Sequence, residues 1–139
     1  MLKQLFAPGK DSLFVSFGLL VLRSWLGLTM LLHHGLGKLT GFADIAPGFP
    51  DPLGVGRTLS LALVVFAEFF ASILLVLGLL TRFGALVLAF NMTVAFFVVL
   101  KADLGSSNAE LAFLYLAGYV TLFIAGPGRL SLDTPLFGK

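Results

Sequence analysis

The sequence predicts an all-α membrane protein, a four-transmembrane-helix antiparallel bundle forming a single domain over residues 1–139. Three observations predict it. Apolar residues make up 58% of the 139 and charged residues only 12%, against about 25% charged in a typical soluble domain. The mean hydropathy is +1.04, and so few polar side chains cannot cover the surface of a soluble fold of this size. The apolar residues fall into four runs, each able with its flanks to cross a hydrocarbon core of about 30 Å. None of the runs alternates with period two, which argues against a β-barrel. This composition excludes an ordinary cytosolic enzyme, a disordered regulator and a coiled coil.

The expected helices are 12–39, 57–80, 83–103 and 107–126. Pro8-Gly9 precedes the first, and Asp11 or Ser12 can cap it. Gly35, Gly37 and Gly41 loosen its far end. Its apolar run is too long for a signal peptide, contains Arg23, and is not followed by a small-x-small cleavage site. Thr81-Arg82 reads as a tight turn that makes the second and third helices antiparallel neighbours. Ser107-Asn108-Ala109-Glu110 fits a capping box for the fourth helix, and Gly126-Pro127-Gly128 ends it. Small residues at spacing four (Ala67/Ala71, Ala85/Ala89 and Ala117/Thr121/Ala125) allow close helix packing. The loop Thr40 to Gly56 mixes three prolines and four glycines with Phe42, Ile45, Phe49 and Leu53. That mix suits a segment lying on the membrane surface or a lid.

Four spans put both termini on one side. That side carries Lys3, Lys10, Arg82, Arg129 and Lys139; the other carries Lys38, Arg57 and Lys101. The bias of five to three predicts cytoplasmic termini in a bacterial cytoplasmic (inner) membrane. The lipid bilayer is the expected partner. A net charge of +2, spread along the chain, does not call for nucleic acid. The chain has no cysteine, so cysteine zinc sites and thiolate-held clusters are excluded within it.

The informative residues are polar ones inside the spans, because a charge near the bilayer centre costs at least about 2.5 kcal/mol. Counted from the helix ends, Arg23 lies roughly 16 Å and Glu68 about 15 Å deep. Equal depth on consecutive helices predicts that they pair, either as a structural lock or also as a ligand or proton site. Arg23, Gly27, Met30 and His34 share one face, while His33 points about 80° away. His34 is therefore an interfacial hydrogen bonder or a ligand residue near the outer mouth, beside Lys38. Asn91 reads as an interhelical hydrogen bonder. Glu110 is either the capping carboxylate or faces His34 and Lys38. Tyr115 and Tyr119 lie in the fourth helix, and the deep Tyr119 hydroxyl needs a partner. Arg129 and Asp133 are expected to form a surface pair. Adjacent histidines on one helix cannot bind both faces of a haem, and a histidine zinc site lacks a third ligand; neither metal nor haem is expected.

These residues also carry a resemblance. Leu22-Arg23, Leu26-Gly27 and His34-Gly35-Leu36-Gly37-Lys38-Leu39 are similar to the first helix of the DoxX family. Glu68 followed by Leu77-Gly78-Leu79-Leu80-Thr81-Arg82 resembles its second helix and turn. Asn91-Met92-Thr93-Val94-Ala95 resembles its third. Glu110 and the run Gly126 to Asp133 resemble its fourth, and only the doubled His33-His34 departs. The resemblance implies a small four-helix bacterial membrane protein related to a subunit of a thiosulfate:quinone oxidoreductase. It implies a quinone as cofactor and a link to redox chemistry. Arg23, His34 and Glu68 would then be catalytic, and Lys38, Asn91, Glu110 and Tyr119 would join them in binding. The site would lie between Arg23–Glu68 and His34, with Met30, Phe66 and Phe90 as candidate walls and the Thr40 to Gly56 loop over its mouth. Electrons would come from a partner redox subunit, a bound cofactor or the substrate. Two other readings are a non-enzymatic scaffold, which would act through a partner or as a homo-oligomer, and a small transporter.

Overall fold

The computed structural model describes residues 12–138. Pro8-Gly9, Asp11, Lys3, Lys10 and Lys139 lie outside the described residues. Four helices are long and apolar enough to cross a membrane: α1 (Leu13–Thr40), α2 (Arg57–Leu77), α3 (Thr81–Val99) and α4 (Ser107–Ala125). A short α5 (Asp133–Phe137) follows. Consecutive helices pack against each other, and α4 closes the bundle on α1. Their registers run in opposite senses: Gly27 faces Ser72 and Val76, whereas Gly35 faces Glu68. The chain is thus an antiparallel, multi-pass membrane bundle.

Packing follows the small residues only in part. Ala67, Ala71, Ala85 and Ala89 are buried and let α2 and α3 approach closely. Of the expected Ala117/Thr121/Ala125 stripe only Ala125 packs on the core; Ala117 and Thr121 are exposed. The inward face of α4 is instead Ala109, Ala112, Tyr115, Tyr119 and Leu122, because the two tyrosines fix which side of the helix enters the core.

At the end of the bundle that holds both termini, three charged side chains cap helices. The α2–α3 turn is Gly78–Leu80, not Thr81-Arg82: Gly78 and Leu80 are both left-handed, and Thr81 already begins α3. Gly78 and Leu79 N–H groups bond back to Leu75 and Leu74 carbonyls at 3.1 and 2.9 Å, a Schellman closure of α2. Leu80 has no side chain able to cap α3. Asp133 does that, accepting from Leu80 and Thr81 N–H at 2.6 and 2.9 Å. Asp133 is therefore fully buried and does not form the expected surface pair with Arg129, which is exposed. Arg23 donates to Leu75 and Val76 carbonyls at 3.2 and 2.6 Å and to the Leu130 carbonyl. Arg82 donates to Phe123 and Ile124 carbonyls at the end of α4. Cations on helix C-termini and a carboxylate on an N-terminus also complement the helix dipoles. The Gly126-Pro127-Gly128 segment lies against the first turns of α1, where Arg129 N–H bonds Ser16 Oγ at 3.0 Å.

At the opposite end, α1 continues to Thr40. The chain then folds through a short helix, Phe42–Ile45, and a 3₁₀ turn, Ala46–Gly48. Phe42, Ile45, Ala46 and Phe49 pack on Leu61 and Val65, so this loop covers α2. Asp51 anchors it, accepting from Val55 and Gly56 N–H at 2.9 Å each and from Ser60 Oγ at 2.8 Å. Ser12 caps α1, accepting from Val15 N–H at 3.3 Å. The capping box expected at Ser107 does not form, because α4 begins one residue early: Ser106 is the N-cap and lacks a side-chain cap bond.

Two predictions follow from these caps. Asp133→Ala removes the acceptor for two N–H groups and lowers stability by about 2 kcal/mol, the upper range for a lost cap, read by thermal unfolding in detergent; an unchanged midpoint would contradict the cap. The Ser60 hydroxyl, then the Gly56 amide, hold the Asp51 carboxyl below its ordinary value. Its anchoring is complete above the unfolded carboxylate pKa of about 3.9 and is lost as pH falls through the depressed folded value. Hydrogen exchange at Val55 and Gly56 should rise in Asp51→Ala at neutral pH and be unchanged if the anchor is not formed.

Candidate functional site

Three of the four long helices change winding along their length. Leu31–Gly35 in α1, Phe66–Ala71 in α2 and Ala95–Val99 in α3 wind as π-helix. The Leu36 N–H reaches back five residues to the Leu31 carbonyl, and the Leu100 N–H to Ala95 at 2.9 Å. Such turns admit an extra residue, redirect side chains and occur frequently at functional sites. His34 and Glu68 each sit inside one. The α1 and α2 turns touch: a Cβ on Gly35 would stand 2.5 Å from the Glu68 carbonyl oxygen. Glycine at 35 therefore sets a backbone-to-backbone crossing and does not loosen the helix end.

Glu68 is buried, at 5% exposure. Its carboxylate pairs with the Lys38 ammonium and accepts from Asn91 Nδ2 at 3.2 Å. The expected Arg23–Glu68 pair is not formed. Gly35 stands level with Glu68, and Arg23 lies twelve residues before it on α1, about 18 Å away in depth. Counting residues from each helix end misplaced Arg23. α1 is 28 residues long against 21 for α2, and its first turns extend past the end of α2 to meet the C-terminal segment. Arg23 meets the last carbonyls of α2 instead.

Beside Glu68 lies a cavity of about 270 Å³, lined by Met30, His34, Met92, Leu111 and Tyr115 together with the carboxylate itself. His34 meets Tyr115 edge-on, with ring centroids 5.9 Å apart. Tyr115 stacks on Tyr119 at 5.8 Å. These three rings lead from the cavity into the core. The Tyr119 hydroxyl is fully buried and has no hydrogen-bond partner among the described residues.

The structure thus brings together His34, Lys38, Glu68, Asn91 and Tyr119. Arg23 is at the other end, and Glu110 is exposed on the first turn of α4. Met30 walls the cavity, whereas Phe66 and Phe90 line a separate groove. The Thr40 to Gly56 loop contributes to that groove and not to the cavity. Tyr115 is the site residue that sequence reasoning passed over. Its spacing of four from Tyr119, which puts both rings on one helix face, was the signal available.

The DoxX family model matches residues 18–101, a stretch that contains Arg23, His34, Lys38, Glu68 and Asn91. An uncharacterized protein of Haemophilus influenzae is 33% identical over 124 residues, covering 84% of this chain and 81% of its own. A second uncharacterized protein of the same organism is 31% identical over 116 residues, covering 79% and 84%. No solved structure matches the chain.

The Lys38–Glu68 pair can be tested by a double-mutant cycle. Lys38→Met strands a carboxylate that is almost wholly buried and should cost about 3 kcal/mol. Glu68→Leu should cost less, because Lys38 is a quarter exposed and can extend its ammonium toward the headgroups. The double variant should recover most of the loss. Three variants that melt like the wild type would remove the pair from the account.

Proposed function

The chain belongs to the DoxX family, and on that premise we propose that it is a quinone-binding membrane protein linked to redox chemistry. The observation that carries this reading is the buried Glu68 carboxylate, held by Lys38 and Asn91 on the wall of a 270 Å³ cavity that also presents His34 and Tyr115. The volume lies just under the usual range for small-molecule sites, about 300–1,000 Å³. It suits one planar head with oxygen acceptors. Reduction of a quinone takes up two electrons and two protons, and the electrons come from a partner subunit, another bound cofactor or the substrate. The chain's own residues handle the protons. His34 gives a proton to one carbonyl oxygen of the head, and Glu68, ionised at rest in its pair with Lys38, takes up the second proton in transit and passes it to the other oxygen. Tyr115 supplies an aromatic surface for the ring. Arg23 and Glu110 have no part in this chemistry.

The same reading puts the protein in the bacterial cytoplasmic membrane with the Arg82 and Arg129 side facing the cytoplasm. Single cysteines can test this, because the chain has no native thiol. A cysteine at Gly48 should label from outside, and labelling only from the cytoplasmic side would reverse the topology.

Function is tested by turnover of a soluble quinone in the reconstituted protein with its redox partner. Glu68→Gln keeps the shape and the Asn91 contact but holds no transferable acid proton, so turnover should fall by about 10²-fold or more. His34→Ala should slow turnover and remove the imidazole's contribution to its pH dependence. Unchanged rates in both variants would contradict the quinone reading and favour a bundle that serves as a scaffold.

A further inference from the structure

The cavity beside Glu68 extends well beyond the residues that handle protons. On α4 its wall is Asn108, Leu111, Ala112 and Tyr115, the spacing of three, four and seven residues that keeps side chains on one helix face. Tyr115 marks the inner end, where its ring meets His34 at 5.9 Å. Asn108 marks the outer end, in the first turn of α4, and Leu100, where α3 stops, lines the cavity as well. Between these ends the lining from α3 and α4 is apolar: Ala95, Val99, Leu111 and Ala112. One continuous space thus has polar groups at both ends and hydrocarbon between them.

Asn108 has no structural task that explains it. It is exposed, and its amide makes no hydrogen bond among the described residues. Ser106 is the N-cap of α4, so Asn108 is not the capping residue, and asparagine is a poorer helix former than alanine. The neighbouring end of α3 closes on its own backbone. The Leu100 N–H bonds the Ala95 carbonyl at 2.9 Å, and the Ala102 N–H bonds the Phe96 carbonyl at 2.8 Å. The Asn108 amide is left available to the cavity.

We propose that Asn108 is the specificity-determining residue of this cavity, donating a hydrogen bond to the outer oxygen of a para-quinone whose inner oxygen faces His34. The inference rests on the quinone reading and narrows its substrate class to para-quinones. Length carries it. Asn108 precedes Tyr115 by seven residues, about 10 Å of helix rise. A para-quinone head measures about 5 Å from oxygen to oxygen, and a hydrogen bond of about 2.9 Å at each end gives a donor-to-donor span of about 11 Å. An ortho-quinone carries its two oxygens side by side and reaches only one end. A carbonyl oxygen has two lone pairs, so the outer oxygen accepts from Asn108 on one and receives the proton that Glu68 carries on the other. Asparagine supplies this donor without a charge, so it does not compete with Lys38 for the carboxylate.

The probes are para-naphthoquinone, ortho-naphthoquinone and tetralone, a bicycle of similar size with a single carbonyl, titrated calorimetrically into the detergent-solubilised full chain. The wild type should bind para-naphthoquinone about tenfold more tightly than the other two, the ratio that one hydrogen bond supplies. Asn108→Leu should weaken para-naphthoquinone about tenfold and leave tetralone unchanged, so that the preference disappears. Asn108→Asp, which keeps the size and loses the donor, should also abolish the preference, whereas Asn108→Gln should retain part of it. All three variants should melt like the wild type, because the side chain is exposed. Para-naphthoquinone affinity unchanged in Asn108→Leu, equal weakening of both ligands, or ortho-naphthoquinone bound as tightly as its para isomer would overturn the assignment and leave the quinone reading in place. Wild-type protein with no saturable binding of para-naphthoquinone would overturn both.

Discussion

A carboxylate inside a helical bundle stays ionised only with a cation and hydrogen-bond donors around it, and the Lys38–Glu68 pair is the interaction on which the loop end of this protein depends. It accounts for the length of α1, which must continue as helix past the bilayer-facing residues to carry Lys38 back onto α2. It also accounts for Gly35. The two backbones have to touch beside Glu68 for a lysine three residues further along α1 to reach the carboxylate. Asn91 completes the set from α3, so three helices converge on one side chain. The π-turns in those same helices are the local adjustment that aims His34 and Glu68 at a common cavity.

The other end of the bundle uses charge differently. Arg23, Arg82 and Asp133 bond mainly to backbone groups at helix termini, satisfying carbonyls and N–H groups that would otherwise be unpaired in an apolar surrounding. The fold thus separates its buried charges into a structural cluster around the α2–α3 turn and a cluster at a cavity. This division explains why the C-terminal run Gly126 to Asp133 and the turn Leu77 to Arg82 form recognisable motifs without taking part in a site: each supplies the other's caps.

The sequence made the bundle legible, because hydropathy and span length report directly on the solvent a helix faces. The inward face of α1 was legible too: Arg23, Gly27, Met30 and His34 all point inward, and His33 points out. What the sequence did not carry was register. Depth counted from helix ends assumes helices of equal length, and the first turns of α1 run past α2 to meet a segment more than a hundred residues later. The Arg23–Glu68 pairing failed for that reason. Asp133 was misread because a carboxylate capping a distant helix has the same local spacing as a surface ion pair. Glu110 was misread because a capping-box pattern can be displaced by one residue when a neighbouring serine starts the helix.

The central claim is that the Glu68 cluster is a binding site as well as a structural lock. Purification of the wild type and Glu68→Gln from native membranes in mild detergent, followed by mass spectrometry of the lipid-soluble molecules each retains, tests it most directly. The account predicts a quinone retained in stoichiometric amount by the wild type and lost from the variant while both remain folded. Retention of phospholipid alone by the wild type, or of equal quinone by both proteins, would contradict it.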